Sequence, residues 1–77
     1  MLVRLYLKEY NEKGELRGLP IQMCVDFESQ IEKIDFCYPF EYKDKKYLWC
    51  NIKGYKQEFL ALTEELEEAF KKQRGDY

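Results

Sequence analysis

The chain contains no histidine. That removes the commonest general base, the usual nitrogen ligand of zinc and the partner that activates a nucleophilic cysteine. The side chains left for chemistry are three cysteines, Cys24, Cys37 and Cys50, and scattered carboxylates such as Asp26 and Glu28. A cysteine-only zinc site needs close Cys-x-x-Cys pairs. Here successive cysteines stand thirteen residues apart. Cys37 and Cys50 are expected near each other across a hairpin, as buried thiols that act as small apolar groups. A catalytic thiol would need a depressed pKa and a base. Carboxylates on strands of a domain without a cleft are expected to be solvated. The glycines at 14, 18, 54 and 75 are isolated, so none builds a phosphate-cradling loop. The expectation is a protein that is not an enzyme and uses no metal and no cofactor.

The stretch FCYPFEYKDKKYLW, residues 36–49, stands out instead. It carries six aromatic side chains, Phe36, Tyr38, Phe40, Tyr42, Tyr47 and Trp49, with Lys43, Lys45 and Lys46 between them. Aromatics fill a small core or a dimer interface efficiently, because each buries a large area. Tyrosine at 38, 42 and 47 argues for partial exposure, since a buried hydroxyl must find a partner. A sharper reading is a stacking platform for single-stranded nucleic acid, where rings line a positive groove. Residues 43–56 hold five lysines against Asp44, a local charge of +4. Residues 23–42 are oppositely charged, at −4, and the whole chain is −2. A dedicated nucleic-acid binder gains affinity from net positive charge, which is missing here.

The elements that must position these residues are legible in outline. Residues 2–10 and 15–27 read as a hairpin turning at NEKG, with Asn11 opening the turn and Gly14 in its left-handed position. This loop sets Leu5 opposite Ile21, Val3 opposite Met23 and Glu9 opposite Arg17. One face carries Val3, Leu5, Leu7, Ile21, Met23, Val25 and Phe27, and the other is polar. Pro20 marks an edge or a bulge. After a polar connection at 28–33, a second hairpin runs from Ile34 to Ile52. A turn centred on Asp44–Lys45 pairs Tyr42 with Tyr47 and Phe40 with Trp49, and puts all six aromatics on one face. Cys37, Pro39, Glu41, Leu48, Cys50 and Ile52 occupy the other.

Residues 55–62 suit a fifth strand better than the start of a long helix. Thr63 then caps a helix rich in Glu64, Glu65, Glu67 and Glu68. Lys71, Lys72 and Arg74 lie in its last turn, and Gly75 ends it. Leu66, Ala69 and Phe70 form its apolar stripe.

Seventy-seven residues, 45% of them hydrophobic, suffice for one thin core. The expected fold is α+β, a single domain over 1–77. An antiparallel meander of four or five strands is followed by one C-terminal helix packed on one face. One helix covers one face, so either the aromatic side or the smaller Leu48 side of the second hairpin lacks cover unless the sheet curls over it. Large exposed apolar patches mark interaction sites.

No apolar run is long enough to span a membrane. In MLVRLYLKEY, Arg4, Lys8 and Glu9 interrupt the apolar run that a signal peptide keeps free of charge. With an odd number of cysteines this suggests reduced thiols and a cytoplasmic location.

The functional expectation is a binding module acting stoichiometrically on a protein partner, as inhibitor or adaptor. In size and acidity it is similar to the small α+β inhibitors that phages direct against host defence enzymes. Its anchors would be Tyr38, Tyr42, Tyr47 and Trp49, since Tyr and Trp dominate interface hot spots. Lys43, Lys45 and Lys46 on one side, and Glu64 to Glu68 on the other, would form a charged rim. A homodimer through the same face is the related alternative. A single-strand nucleic-acid binder is the runner-up.

Overall fold

The computed structural model describes residues 1–75, apart from the side chain of Arg74. The basic end of the helix expected at Arg74 therefore lies partly outside the described residues. The strands are β1 (Leu2–Tyr6), β2 (Glu9–Tyr10), β3 (Leu16–Gly18), β4 (Ile21–Asp26), β5 (Ile31–Tyr42), β6 (Lys45–Ile52) and β7 (Glu58–Leu62). A short helix α1 (Phe27–Gln30) precedes β5, and α2 (Thr63–Arg74) follows β7. Five strands form one antiparallel sheet in the order β4-β1-β7-β6-β5, and β2 and β3 form a separate two-stranded arm. The α+β class, the fifth strand and the C-terminal helix all match the sequence-based expectation.

β7 holds the centre of the sheet. Its residues Phe59, Leu60, Ala61 and Leu62 are all buried, on both faces. An unbroken apolar run is what a strand covered on both sides requires. Phe59 and Ala61 join the layer beneath α2, with Val3, Leu5, Val25, Leu48, Cys50, Ile52, Leu66 and Ala69. Leu60 and Leu62 point the other way, to Tyr6 and Tyr47. The smaller set of the second hairpin thus meets the helix, and the aromatic set turns away from it. Phe27 and Phe70 lock α1 to α2 edge-on at 5.0 Å.

The NEKG turn forms as expected. Asn11 Oδ1 accepts the N–H groups of Lys13 and Glu15 at 2.9 and 3.0 Å, and Gly14 has φ +80°. The strand register beyond it differs by two residues. Val3 faces Val25 and Leu5 faces Met23. Over Leu2–Leu5 a slip of two keeps Val3, Leu5, Met23 and Val25 on their face, so the core survives the change, and a bulge between Met23 and Ile21 then pairs Ile21 with Tyr6. It moves Ile21 to the strand end, where it is 53% exposed rather than in the core. Glu9 pairs with Gly18 in register, yet Arg17 Nε still reaches Glu9 Oε1 at 3.6 Å. Residues 28–33 are not a plain connection. Asp26 accepts the Ser29 N–H and caps α1, and β5 already starts at Ile31.

The second turn is displaced as well. Tyr42 pairs with Lys45 and Phe40 with Tyr47, so the turn is Lys43–Asp44 rather than Asp44–Lys45. Both residues are left-handed, with φ +48° and +64°. This is the two-residue hairpin turn whose twist matches the strands. Thr63 does not cap α2 either. The cap position is Leu62, and the Thr63 hydroxyl donates to the Lys46 carbonyl at 2.7 Å, tying the helix start to β6. Gly75, at φ +81°, ends α2 by donating its N–H to the carbonyls of Lys71 and Lys72.

A left-handed non-glycine residue carries strain of about 1–2 kcal/mol, part of which glycine returns as chain entropy. Asp44→Gly is therefore expected to stabilise the fold by about 0.5–1 kcal/mol. A higher thermal midpoint than wild type in a calorimetric scan checks this.

Candidate aromatic and lysine interface

The aromatic stretch is shaped by a mismatch between β5 and β6. Asp35 pairs with Trp49, and Phe40 with Tyr47. Between those pairs β6 supplies only Leu48, whereas β5 supplies Phe36, Cys37, Tyr38 and Pro39. Three surplus residues must pucker away from the ladder. Asp35 Oδ1 starts the pucker by accepting the Cys37 N–H at 2.8 Å. Pro39 fits there, because β5 is an edge strand and a bulged edge needs no donor.

The consequence is that the six aromatics do not share one face. Phe36 leans to the helix side, 6.5 Å from Phe70, and is 62% exposed. Tyr38 stands on the pucker at 77% exposure. Tyr47 is buried at 8%, edge-on to Tyr6 at 5.4 Å and packed on Leu60 and Leu62. It is a core residue, so its ring is not a surface anchor. Phe40, Tyr42 and Trp49 are half-buried around this cluster, with Phe40 and Tyr42 stacked at 6.3 Å. Burial also pushes the Tyr6 phenol above its ordinary pKa.

Cover for this face comes from the first hairpin. Leu19 packs on the cluster, and a side chain at Gly18 would begin 4.0 Å from the Tyr42 hydroxyl. Lys8 lays its ammonium 4.1 Å from the Phe40 ring centre and 5.5 Å from that of Trp49. A cation over a ring face is attracted by its quadrupole, and the lysine stem shields apolar surface. Neither Tyr6 nor Lys8 stood out in the sequence, where both sit on the polar side of an alternating strand. Only a count of the uncovered aromatic face could have suggested that something must fold over it.

Tyr38 and Trp49 remain together. With Asp35, Lys56 and Glu58 they line a shallow groove beside the pucker. The exposed Lys43, Lys45 and Lys46 flank the nearby turn, with the Lys43 ammonium 5.4 Å from the Tyr42 ring. The charged rim is not two-sided as expected. Lys45 and Arg4 line the same groove as Glu64, Glu65, Glu67 and Glu68 at the start of α2. There Arg4 Nε donates to Glu65 at 3.1 Å.

The remaining chemistry-bearing residues have structural surroundings. Cys50 is buried, whereas Cys37 lies exposed on the pucker, so the two do not face each other; Ile34 is opposite Cys50. Asp26 accepts from the Ser29 hydroxyl at 2.7 Å and lies 3.3 Å from the Met1 ammonium, and these contacts hold its carboxyl below the usual range. Among the described residues no group of three His, Cys, Asp or Glu side chains could hold a metal ion, and no helix is long and apolar enough to cross a membrane. No family model, curated protein or solved structure matches the chain.

Burial pushes the Cys50 thiol up to about 12 from an ordinary 9.0. The fold disfavours the thiolate, so this contribution to stability is complete below about pH 9 and is lost as the pH rises towards 12. Denaturant titrations across that window should show stability falling more steeply for wild type than for Cys50→Ala.

Proposed function

We propose that the chain is a non-enzymatic binding module that occupies a partner protein stoichiometrically, as an inhibitor or adaptor. The observation that carries this reading is the pucker at residues 36–39. An edge strand spends three surplus residues to hold Tyr38 out beside Trp49, while the neighbouring rings are packed down by Lys8 and Leu19. A tyrosine presented next to a half-buried tryptophan is the composition of an interface hot spot. Tyr38, Trp49 and the edge of Tyr42 would be the anchors. Lys43, Lys45 and Lys46 would speed encounter with an acidic partner surface and orient it.

Nucleic-acid stacking has less support. A platform needs free ring faces above a positive groove. Here Tyr47 is buried, Phe40 is stacked on Tyr42 and covered by Lys8, and Trp49 is partly covered.

Tyr38→Ala is expected to leave the unfolding free energy within about 0.5 kcal/mol of wild type, as for an exposed side chain. It should weaken partner binding by tenfold or more, which corresponds to about 1.4 kcal/mol. The comparison is a 1:1 complex, isolated from the producing cells with wild type and quantified with each variant by calorimetry. Lys45→Glu with Lys46→Glu should lower the association rate and its salt dependence. Trp49 emission should stay unchanged on titration with a mixed-sequence single-stranded oligonucleotide at low salt. Quenching that vanishes at high salt would replace this reading with the nucleic-acid one.

A further inference from the structure

Two carboxylates stand beside the Tyr38–Trp49 pair, and the sheet puts them there. Asp35 is the direct cross-strand partner of Trp49, so the two side chains share a face. On the other flank Trp49 faces Leu60, and Glu58 is the preceding residue of β7 on that same face. Trp49 and Leu60 belong to the cluster turned away from α2, so Asp35 and Glu58 are on that side too. They flank the indole from the two neighbouring strands, whose backbones are about 10 Å apart, twice the spacing of adjacent strands.

The Asp35 carboxylate is held in place. Its Oδ1 accepts the Cys37 N–H at 2.8 Å, which leaves Oδ2 for another donor. Glu58 is exposed. Among the described residues neither carboxylate is in an ion pair, although Lys56 lines the same groove and Lys33 an adjoining one. The groove therefore combines two rings with two carboxylates against one ammonium. Lys8 and Phe40 do not line it, so it uses the part of the indole that they leave open.

Rings and carboxylates together select a cation. Indole attracts a cation over its face more strongly than the other aromatic side chains do. A guanidinium is planar, so it can lie flat on the indole and still aim its N–H groups sideways at carboxylates. An ammonium is a compact, strongly hydrated point charge with no flat face to stack. A quaternary ammonium has no N–H to give to Asp35 or Glu58. An anion would meet two like charges.

We propose that the groove takes an arginine side chain of the partner protein, its guanidinium lying against the Trp49 indole beside Tyr38 and donating to Asp35 and Glu58. This rests on the reading of Tyr38 and Trp49 as partner-binding anchors. It also gives the partner surface a layout. Lys46 precedes Trp49 by three residues on β6, which is about 10 Å along the strand. The matching surface sets its arginine about that far from the acidic groups that meet Lys45 and Lys46.

The test titrates N-acetylarginine N-methylamide into the full chain at low salt, following the Trp49 indole N–H resonance. The lysine and citrulline analogues are the controls, citrulline having the shape of arginine without its charge. The arginine compound should bind saturably, with a dissociation constant on the order of 1 mM. The lysine compound should bind several-fold more weakly, and the citrulline compound not at all. Asp35→Asn with Glu58→Gln should weaken arginine binding by about tenfold or more. The asparagine amide oxygen can still accept the Cys37 N–H, and an unchanged thermal midpoint checks that the pucker is kept. Glu58→Gln alone, at an exposed position, should act in the same direction. Lys56→Ala should leave arginine binding intact or tighten it.

No saturable binding overturns the proposal, as does equal binding of the citrulline compound, or full affinity in the folded double variant. Loss of binding in Lys56→Ala overturns it as well, because the groove would then be an anion site. Equal or tighter binding of the lysine compound overturns the choice of a guanidinium. The 1:1 partner complex separates this inference from the reading beneath it. If Tyr38→Ala weakens the complex and the carboxylate double variant does not, the anchors stand and the arginine falls. If Tyr38→Ala has no effect on the complex, the anchors fall, and this use of the groove falls with them.

Discussion

Everything in this small domain depends on β7 being apolar on both faces. Leu60 and Ala61 are fully buried side by side in sequence, one turned to each layer. A strand of that kind cannot sit at an edge or against water. It draws β1 to one side and β6 to the other, so the two hairpins become one sheet. It also demands two covers. The chain after β7 supplies the first directly, because α2 starts at the next residue and folds back over Phe59 and Ala61.

The second cover has no helix to draw on, and it is assembled from parts. Tyr6, Tyr47, Phe40, Tyr42 and Trp49 spread over Leu60 and Leu62, and the first hairpin lays Leu19 and Lys8 across them. Most of the aromatic stretch thereby becomes a second, thinner core. What escapes is what the register forces out. Three surplus residues in β5 leave Tyr38 and Phe36 exposed on opposite sides of the sheet. Stability and recognition therefore share one sequence segment, divided by a bulge.

The fold class could be read from the sequence because each element carries its own periodicity. The alternation of Val3, Leu5 and Val25, the glycine turns and the Leu66–Ala69–Phe70 stripe are local signals. The site was less legible because register is not local. The Lys43–Asp44 turn demands left-handed residues, and neither lysine nor aspartate announces that as Asn-Gly would. A turn one residue earlier, followed by three surplus residues, changes the neighbours of every aromatic in the stretch. Thr63 looked like a cap by residue type, yet the nearby Lys46 carbonyl claimed its hydroxyl. Lys8 was invisible as a cover because its partners lie more than thirty residues away.

The central claim is that the aromatic cluster lies on the face away from α2, under Lys8. Nuclear Overhauser contacts in solution test it most directly. The account predicts cross-peaks from the Lys8 side chain to the Phe40 and Trp49 rings and from Tyr47 to Tyr6 and Leu60, with Tyr38 showing few long-range contacts. Cross-peaks from the Tyr47 and Trp49 rings to Leu66 and Ala69 would contradict it, because the aromatic face would then be the one beneath the helix.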